Sequence, residues 1–459
     1  MTKHRNLIVS VSKRKNKLSV ENKNGKAYIL IKISIKDFPT TTAIRIKIFF
    51  MIIRIFPIIF LSLGLLLQQQ AYAKVNGFIL PKGARSVKIS VDIQHNVVLI
   101  PIRINGSFEM NFILDTGAKR NILTEPLLEE FLSLDSLRKI KVRGLGGGEE
   151  IDAKVASGVD IDLPGEVKGI GMQMLILPKG LISYSGMFGK PVYGILGYEV
   201  FGQFAVEINY REKYIKLYDP FKFKARKKFS EIPIEIIRSK PYVMATLTDY
   251  RGEKFNRRWL LDTGASNAIT LFNGELPVPN SSIDAFLGRG LNGDVYGKLA
   301  RADALKLGNF EFEEIVTGYP DSASLIMLPK NIPWYGNLGS EILSRFTVVF
   351  NYKEGKVYLK KNKDYRTPFE YNISGLEIVT RGDNFENYVI NYIRPNSPAA
   401  QAGIQINDHL LAINGFALVN DDISSIYATL SRRSGRFIHL KIKRGEEILK
   451  VRFRLKREI

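Results

Sequence analysis

The chain has 459 residues, 45% of them hydrophobic, which is enough for several domains with ordinary cores. With no cysteine and four scattered histidines, it excludes disulfides and thiolate chemistry and disfavours histidine-based metal or serine–histidine sites. The formal net charge is +22, and residues 1–50 hold 12 Lys and Arg against two acidic residues. A solvated basic surface is the simplest interpretation. Contact with anionic envelope lipid or polysaccharide is an alternative, and nucleic acid is disfavoured because no aromatic-interleaved basic motif occurs.

The N-terminal region is organised like an export signal. Residues 51–73 have a short basic start, an apolar middle and a small-x-small cleavage site ending at Ala73. Residues 1–50 would then be a basic extension that either precedes the biological start or is dispensable. An uncleaved anchor helix from about residue 49 to 67 is the alternative. Both interpretations place the rest of the chain outside the cytoplasm, in the periplasm, the cell envelope or the medium.

Residues 74–219 are predicted to form a first lobe made mostly of short strands. Val87–Ile93 and Val97–Ile104 alternate between apolar and polar residues, and Asn105-Gly106 is a hairpin turn signal. A third strand ends at Leu114 and leads into Asp115-Thr116-Gly117-Ala118. A carboxylate at the end of a buried strand is costly unless it is hydrogen-bonded or has a chemical task.

A second lobe is predicted at residues 232–360, after a basic linker at 220–231. It repeats the motif as Asp262-Thr263-Gly264-Ala265, 147 positions after the first. Ungapped alignment of residues 193–212 with 335–354 gives ten identities in twenty positions. Chance recurrence of Asp-Thr-Gly in an ordinary β protein does not explain this match, so the sequence predicts two copies of one unit.

Two paired carboxyl groups have a chemistry that follows from their charges alone. Close together, they cannot both ionise cheaply, so they share a proton and their apparent pKa values separate. The ionised group can accept a proton from water while the protonated group polarises a carbonyl. No metal or other cofactor is needed for this reaction.

A third domain is predicted at residues 371–459, after a linker at 361–370. This segment has a compact α+β pattern with a Ser-Pro-Ala-Ala-Gln-Ala-Gly phrase at 397–403. A helix is expected near Ile423–Leu430, followed by two strands around Arg444-Gly445.

Residues 85–360 resemble the retropepsin-like aspartic proteases, with the lobe duplicated in one chain. The resemblance rests on an apolar pair before Asp-Thr-Gly-Ala, a glycine-rich loop, and Leu-Gly before a helical turn, in the same order twice. It implies closed, mostly antiparallel β lobes that bring Asp115 and Asp262 together as the catalytic pair. The implied supporting residues are the threonines that cross-link the two loops and the glycines that allow close packing: Thr116, Gly117, Gly197, Thr263, Gly264 and Gly339.

Two features of this resemblance stay open. The glycine-rich segments Gly144–Gly148 and Gly288–Gly293 are candidate flaps over the substrate, or else solvent-exposed hairpins. Asn337 stands where the first copy has Ile195, so the support behind Asp262 is less apolar and the two halves are not equivalent.

The C-terminal segment resembles a PDZ domain of the kind attached to bacterial envelope proteases. Its Ser-Pro-Ala-x-x-Ala-Gly, Asp-x-Leu-x-x-Ile-Asn-Gly and Arg-Gly phrases carry the resemblance, although Asn407 stands where Gly is common. PDZ domains bind peptides by strand addition, with backbone amides holding a terminal carboxylate. The resemblance assigns that binding to Gly375, Leu376, Glu377 and Ile378.

The sequence therefore predicts a mostly β protein with two retropepsin-like closed lobes and a small α+β PDZ domain. The expected function is aspartic endopeptidase activity on protein or peptide substrates, with a peptide C-terminus as the PDZ ligand. Nucleic acid is not an expected partner, and membrane contact is expected only through an uncleaved N-terminal segment. The alternatives are a catalytically silent peptide-binding scaffold and an enzyme whose halves pair between chains.

Overall fold

A computed structural model describes residues 17–23, 26–32, 76–134, 138–272, 276–328, 334–419 and 421–459. The chain divides into two compact units, residues 1–74 and 75–459. In the first unit, β1 (Lys17–Lys23) and β2 (Lys26–Lys32) form an antiparallel hairpin. The predicted signal at 51–73 lies outside the described residues. Within the described ranges, no helix is both long and apolar enough to span a membrane.

Lobe 1 is built from twelve strands and three single-turn helices. The strands are β3 (Gly77–Ile79), β4 (Ser86–Ser90), β5 (Asp92–Gln94), β6 (Val97–Ile104), β7 (Met110–Leu114), β8 (Asn121–Leu123), β9 (Arg138–Val142), β10 (Ile151–Leu163), β11 (Val167–Ile176), β12 (Gly194–Leu196), β13 (Ala205–Asn209) and β14 (Tyr214–Tyr218). The helices are α1 (Leu128–Phe131), α2 (Ser185–Phe188) and α3 (Tyr198–Phe201). Six strands close into a barrel in the order β6-β7-β12-β8-β11-β10, because β10 pairs with both β11 and β6.

The predicted strand at Val87–Ile93 divides between two sheets. β4 pairs with β14, whereas β5 turns back onto β6. Val91 separates the two strands, and alternation alone could not show this change of partner. The predicted turn at Asn105-Gly106 has positive φ angles of 48° and 73°, the geometry of a tight hairpin.

Lobe 2 has the same arrangement. Its elements are β15 (Ser230–Pro233), β16 (Glu235–Ile237), β17 (Lys240–Thr248), β18 (Lys254–Asp262), β19 (Ile269–Leu271), β20 (Ile283–Gly290), β21 (Gly293–Leu307), β22 (Phe310–Pro320), α4 (Ser322–Leu325), β23 (Gly336–Gly339), α5 (Ser340–Leu343), β24 (Phe346–Asn351) and β25 (Lys356–Lys361). The barrel order β17-β18-β23-β19-β22-β21 matches that of lobe 1, including which pairs are parallel.

The lobes join through a six-stranded sheet in the order β15-β25-β24-β13-β14-β4. At its centre, β13 and β24 are antiparallel, with Glu207 opposite Val349. These two residues are also equivalent in the sequence alignment of the halves, so the register maps onto itself when the lobes are exchanged. A pseudo-two-fold axis therefore passes through this pair, as in a symmetric dimer interface.

The C-terminal domain is a small sheet with two helices. Its elements are β26 (Leu376–Arg381), β27 (Asn387–Ile393), α6 (Pro398–Gln401), β28 (His409–Ile413), β29 (Phe416–Ala417), α7 (Ile423–Leu430), β30 (Phe437–Arg444) and β31 (Glu447–Arg454). The strand order is β26-β27-β28-β30-β31, so one side of β26 has no neighbouring strand among the residues that the structure describes. Asn407 adopts a φ of 70°, a left-handed conformation that asparagine tolerates better than most residues, which explains why it can replace glycine there.

Candidate active site

Each aspartate is presented by the end of a buried strand. In lobe 1, β7 ends at Leu114, and the Asp115 amide donates to the Leu196 carbonyl 3.0 Å away. In lobe 2, Asp262 is the last residue of β18, which runs parallel to β23. The parallel neighbour fixes each strand end, so both loops enter the lobe interface from a rigid support.

The threonines of the two motifs cross-link the loops. The Thr116 hydroxyl donates to the Leu261 carbonyl at 2.7 Å, and the Thr263 hydroxyl donates to the Leu114 carbonyl at 2.8 Å. Each hydroxyl also accepts the backbone amide of the other threonine, at 2.9 and 3.0 Å. Both threonines are fully buried. The four bonds are reciprocal, so the lobes hold each other's motifs in one relative position.

The two carboxyl groups lie side by side, since a Cβ on Gly117 would be 3.0 Å from Oδ1 of Asp115 and similarly close to Oδ1 of Asp262. The backbone approaches them closely because both motifs place glycine next to them. A Cβ on Gly264 would lie 2.5 Å from Cγ of Asp115, and one on Gly117 would lie 2.9 Å from Oδ1 of Asp262. Any larger residue at either position would displace a carboxyl group, so glycine is required for the pair to form.

Gly197 and Gly339 lie directly behind the two loops. The Gly197 amide donates to the Asn121 side chain at 3.1 Å, and the Gly339 amide donates to the Ala268 carbonyl at 2.9 Å. The structure thus brings together all eight site residues that the sequence singled out in the two lobes. Their roles in catalysis are taken up below.

Burial raises the pKa of Asp115 to about 8, and the charge of Asp262 contributes to the same shift. Burial also raises the pKa of Asp262, while the positive charge of Lys240 and hydrogen bonds to its carboxylate oppose that shift. Unequal environments of this kind separate the titrations of a carboxyl pair. One proton is therefore shared between the two groups near neutral pH.

Sequence patterns missed several residues that surround the pair. The Ser340 hydroxyl donates to the Thr263 carbonyl at 2.9 Å, and Tyr210 lies 3.4 Å from that hydroxyl. Lys240 begins β17 and acts on both aspartates through its charge. The alignment of the halves shows Ser340 opposite Tyr198, but nothing in that alignment indicates Lys240, because its place depends on the strand register.

The glycine-rich hairpins of the two lobes meet at their tips. The Gly148 amide donates to the Asn292 carbonyl at 2.9 Å, and the Asn292 amide donates to the Leu145 carbonyl at the same distance. The Asn292 side chain, 3% exposed, also donates to the Glu149 carbonyl. Leu291 packs on the lobe 1 cluster that contains Ala118, which lies three residues after Asp115. The hairpins are therefore in mutual contact and partly buried.

Sequence comparison agrees with these observations. The aspartyl protease family profile matches residues 100–200, and the PDZ domain profile matches residues 359–455. The chain carries a retropepsin-like aspartyl protease domain and a PDZ domain. The first match runs from within β6 into α3 and includes the Asp115-Thr116-Gly117 motif and Gly197. The second begins within β25 and extends through the C-terminal sheet.

Comparison with curated proteins finds no match. Among solved structures, basic 7S globulin from soybean aligns with 62% of this chain and 97% of its own, at 9% identity and a TM-score of 0.36. A photosystem II D1 C-terminal processing protease aligns with 20% of this chain and 23% of its own, at 16% identity and a TM-score of 0.18.

The predicted peptide-binding residues of the PDZ domain lie at the start of β26. The Gly375 carbonyl accepts the Arg394 amide at 2.8 Å, and the Leu376 side chain is fully buried in the core. The Ile378 amide donates to the Tyr427 hydroxyl at 2.8 Å, and that hydroxyl donates to Glu377 at 2.7 Å. The Tyr427 hydroxyl of α7 is therefore already hydrogen-bonded to the Ile378 amide and the Glu377 side chain, on the side of β26 where a peptide strand would add.

The protease domain covers the same side of β26. The Thr380 hydroxyl donates to the Gly186 carbonyl of α2 at 3.1 Å. The His95 ring of lobe 1 packs edge-on against Tyr427, with ring centroids 5.0 Å apart. The Ser424 hydroxyl donates to the Gln94 side chain at 2.7 Å. Lobe 1 thus contacts both walls of the groove, strand β26 and helix α7.

Proposed function

We propose that this protein is an aspartic endopeptidase that hydrolyses peptide bonds with a water molecule activated by Asp115 and Asp262. The observation that supports the proposal most strongly is the reciprocal threonine bonding, which holds the half-buried Asp115 and the buried Asp262 side by side. A protein with no use for this pair gains nothing from placing two repelling acids together.

The reaction follows from the shared proton. The ionised carboxylate accepts a proton from water as the water oxygen attacks the peptide carbonyl carbon, and the protonated carboxyl donates its proton to the carbonyl oxygen. In the tetrahedral diol that results, the carbon–nitrogen bond breaks as one carboxyl group gives its proton to the leaving nitrogen, while the other, ionised group accepts a proton from a diol hydroxyl, whose oxygen becomes the new carbonyl oxygen. The products are a free carboxyl and a free amine, and one proton again remains between the two aspartates.

The test is cleavage of casein or a peptide library from acidic to neutral pH by the wild type, Asp115→Asn and Asp262→Asn. Both variants keep the side-chain volume, so we expect folded proteins whose rates fall at least 100-fold, because general acid–base catalysis of this kind supplies about 10²–10⁴. Asp303→Asn is the matched control, since Asp303 lies exposed on β21 of the same lobe.

Cleavage that survives in either active-site variant would refute the paired-carboxyl mechanism. A wild type that cleaves nothing across this range would favour a catalytically silent scaffold. In the active enzyme, the rate should also decline as pH rises through about 8, because Asp115 then loses the proton that it donates.

The two lobes are proposed to be copies of one duplicated unit, supported by their common strand order and by the ten sequence identities. The PDZ domain is proposed to bind a peptide C-terminus along β26, after the lobe 1 contact at that edge separates. We also propose export to the periplasm or cell envelope, for which N-terminal sequencing of the secreted protein is the test. Lys74 as the first residue would support it.

A further inference from the structure

The pseudo-two-fold symmetry of the site is broken at two positions beside the aspartates. Ile195 on β12 pairs with Ile113, and at the equivalent place on β23 Asn337 pairs with Leu260. On the neighbouring strands, the register that sets Leu99 opposite Ile113 sets Tyr242 opposite Leu260. Leu99 and Tyr242 are therefore equivalent positions of the two lobes. Val97 lies two residues before Leu99, and Lys240 lies two residues before Tyr242, so these two residues are also equivalent. Lobe 2 carries a polar and a cationic residue where lobe 1 carries two apolar ones.

Asn337 acts directly on one carboxylate. Its side-chain amide nitrogen donates to Oδ2 of Asp262. Its own oxygen is buried and accepts no hydrogen bond from the described residues, and the side chain is 8% exposed. The amide must face the carboxylate with its NH₂ group, because two facing oxygens would repel each other. A buried amide that leaves its own oxygen unsatisfied is costly, which points to a task for its donor.

The equivalent residue of lobe 1 offers no donor. Ile195 is 4% exposed and belongs to an apolar cluster with Ile113 and Ala118. Among the described residues, the Asp115 carboxylate accepts one backbone hydrogen bond, from the Gly117 amide at 2.6 Å. Asp262 accepts from Gly264 at 3.0 Å and Ala265 at 3.2 Å, and from Asn337 in addition. Donors to a carboxylate favour its ionised form, so the two groups are in different environments.

We propose that Asn337 is a positioning residue that fixes the roles of the pair, with Asp262 as the carboxylate that accepts the proton of water and Asp115 as the acid. The inference rests on the proposed function and deepens it. Because only lobe 2 supplies this donor, the two aspartates are not interchangeable, and each keeps one role as base or acid. Asp262 of lobe 2 then accepts the proton of the water, and Asp115 of lobe 1 donates a proton to the substrate carbonyl.

The other charged and titratable groups around the pair agree with this assignment. The charge of Lys240 opposes the rise in the pKa of both aspartates and so favours a single negative charge on the pair. Four tyrosines lie near the pair: Tyr184, Tyr210, Tyr242 and Tyr352. Burial raises the pKa of each, so all four stay neutral and none replaces Asp262 as the base.

The first test observes protonation without relying on activity. Carbon-13 carboxyl signals of labelled Asp115 and Asp262, assigned with the two asparagine variants, are followed through a pH titration. We expect Asp262 to ionise first and Asp115 to keep its proton to about pH 8. In Asn337→Ile the two titrations should converge. Ionisation of Asp115 before Asp262, or an unchanged titration in Asn337→Ile, would overturn the inference.

The second test exchanges the donor between lobes. Asn337→Ile should lower kcat roughly 10- to 100-fold, the equivalent of one hydrogen bond to a charged group. Ile195→Asn/Asn337→Ile places the donor behind Asp115 and should recover part of that loss, with the titration order reversed. If Asn337 only packed, the double variant would be slower than the single one.

Thermal unfolding of each variant shows whether it is folded. If Ile195→Asn/Asn337→Ile does not fold, the result for Asn337→Ile alone decides whether Asn337 has the proposed role. The outcomes separate the two proposals. Asparagine variants of the aspartates that abolish cleavage, with Asn337→Ile identical to wild type in both tests, would keep the protease and reject the role of Asn337. A wild type without activity would reject the protease, while the carboxyl titration would still decide the order of ionisation.

Discussion

At the scale of single residues, the site depends on two carboxyl groups that repel each other when ionised and that the fold holds together. Asp115 lies half-buried beside a second carboxyl group, that of Asp262, which costs free energy whenever both are ionised. The sequence identified both aspartates, both threonines and the neighbouring glycines, because each motif is local and occurs twice. It showed Asn337 only as a departure from the first copy. Lys240 left no sequence signal, since its equivalence to Val97 appears only in the register of β17 against β18.

The raised pKa of Asp115 predicts a specific dependence of stability on pH. Between pH 4 and 8 the folded protein binds a proton at Asp115 that the unfolded chain releases, so stability is lost as pH rises through this range. Asp115→Asn removes this loss. We expect the free energy of unfolding to fall between pH 4 and pH 8 by roughly 2–5 kcal/mol less in this variant than in wild type.

Urea denaturation at each pH measures this difference. Burial also raises the pKa of Glu199 and Glu341 to about 7, and both are unchanged in the variant, so subtracting the curves isolates the contribution of the aspartate pair. Parallel curves for variant and wild type would contradict the account.

At the scale of elements, the two hairpin tips form a closed pair. The sequence predicted two glycine-rich segments but not that they bond to each other, because that contact depends on the placement of the lobes. The β20–β21 hairpin is also more regular than expected, since strand pairing extends to Gly290 and Gly293 and leaves two residues for the turn. Peptide substrates would have to enter between the hairpins, so tip contacts should control access.

Gly146→Ala is predicted to weaken this closure. A Cβ at Gly146 would lie 2.6 Å from the carbonyl carbon of Asn292, and its φ of 118° also disfavours alanine. We expect faster hydrogen exchange at the Gly148 and Asn292 amides and a changed KM, with thermal stability nearly that of wild type. Gly147→Ala is the control, because the nearest atom to its Cβ would be 3.5 Å away. Equal exchange in both variants would contradict tip-to-tip closure.

At the scale of the whole molecule, the protease and PDZ domains are in contact at the groove that would receive a peptide. Composition and motifs predicted the order of the three domains, and the resemblance predicted the binding strand. No local pattern indicates that α2 of lobe 1 would lie along β26, since the two are separated by 194 positions at the Gly186–Thr380 bond. A peptide and lobe 1 would compete for one surface.

Gly186→Leu should release this competition. A Cβ at Gly186 would lie 2.8 Å from the Thr380 carbonyl oxygen, so leucine would push the domains apart while leaving the PDZ sequence unchanged. We expect about tenfold tighter binding of C-terminal peptides in fluorescence anisotropy, because a larger fraction of molecules has an open groove. Met187→Leu, in the same helix, should bind like wild type. Equal affinities in all three proteins would show that lobe 1 does not restrict the groove.

Both halves of one chain are proposed to contribute one aspartate each to a single site. The most direct measurement compares peptide cleavage by wild type, Asp115→Asn, Asp262→Asn and an equimolar mixture of the two variants. Since each variant chain lacks one half of its own site, the account predicts an active wild type and no recovery in the mixture. Recovery toward a quarter or more of the wild-type rate would show that sites form between chains and would contradict it.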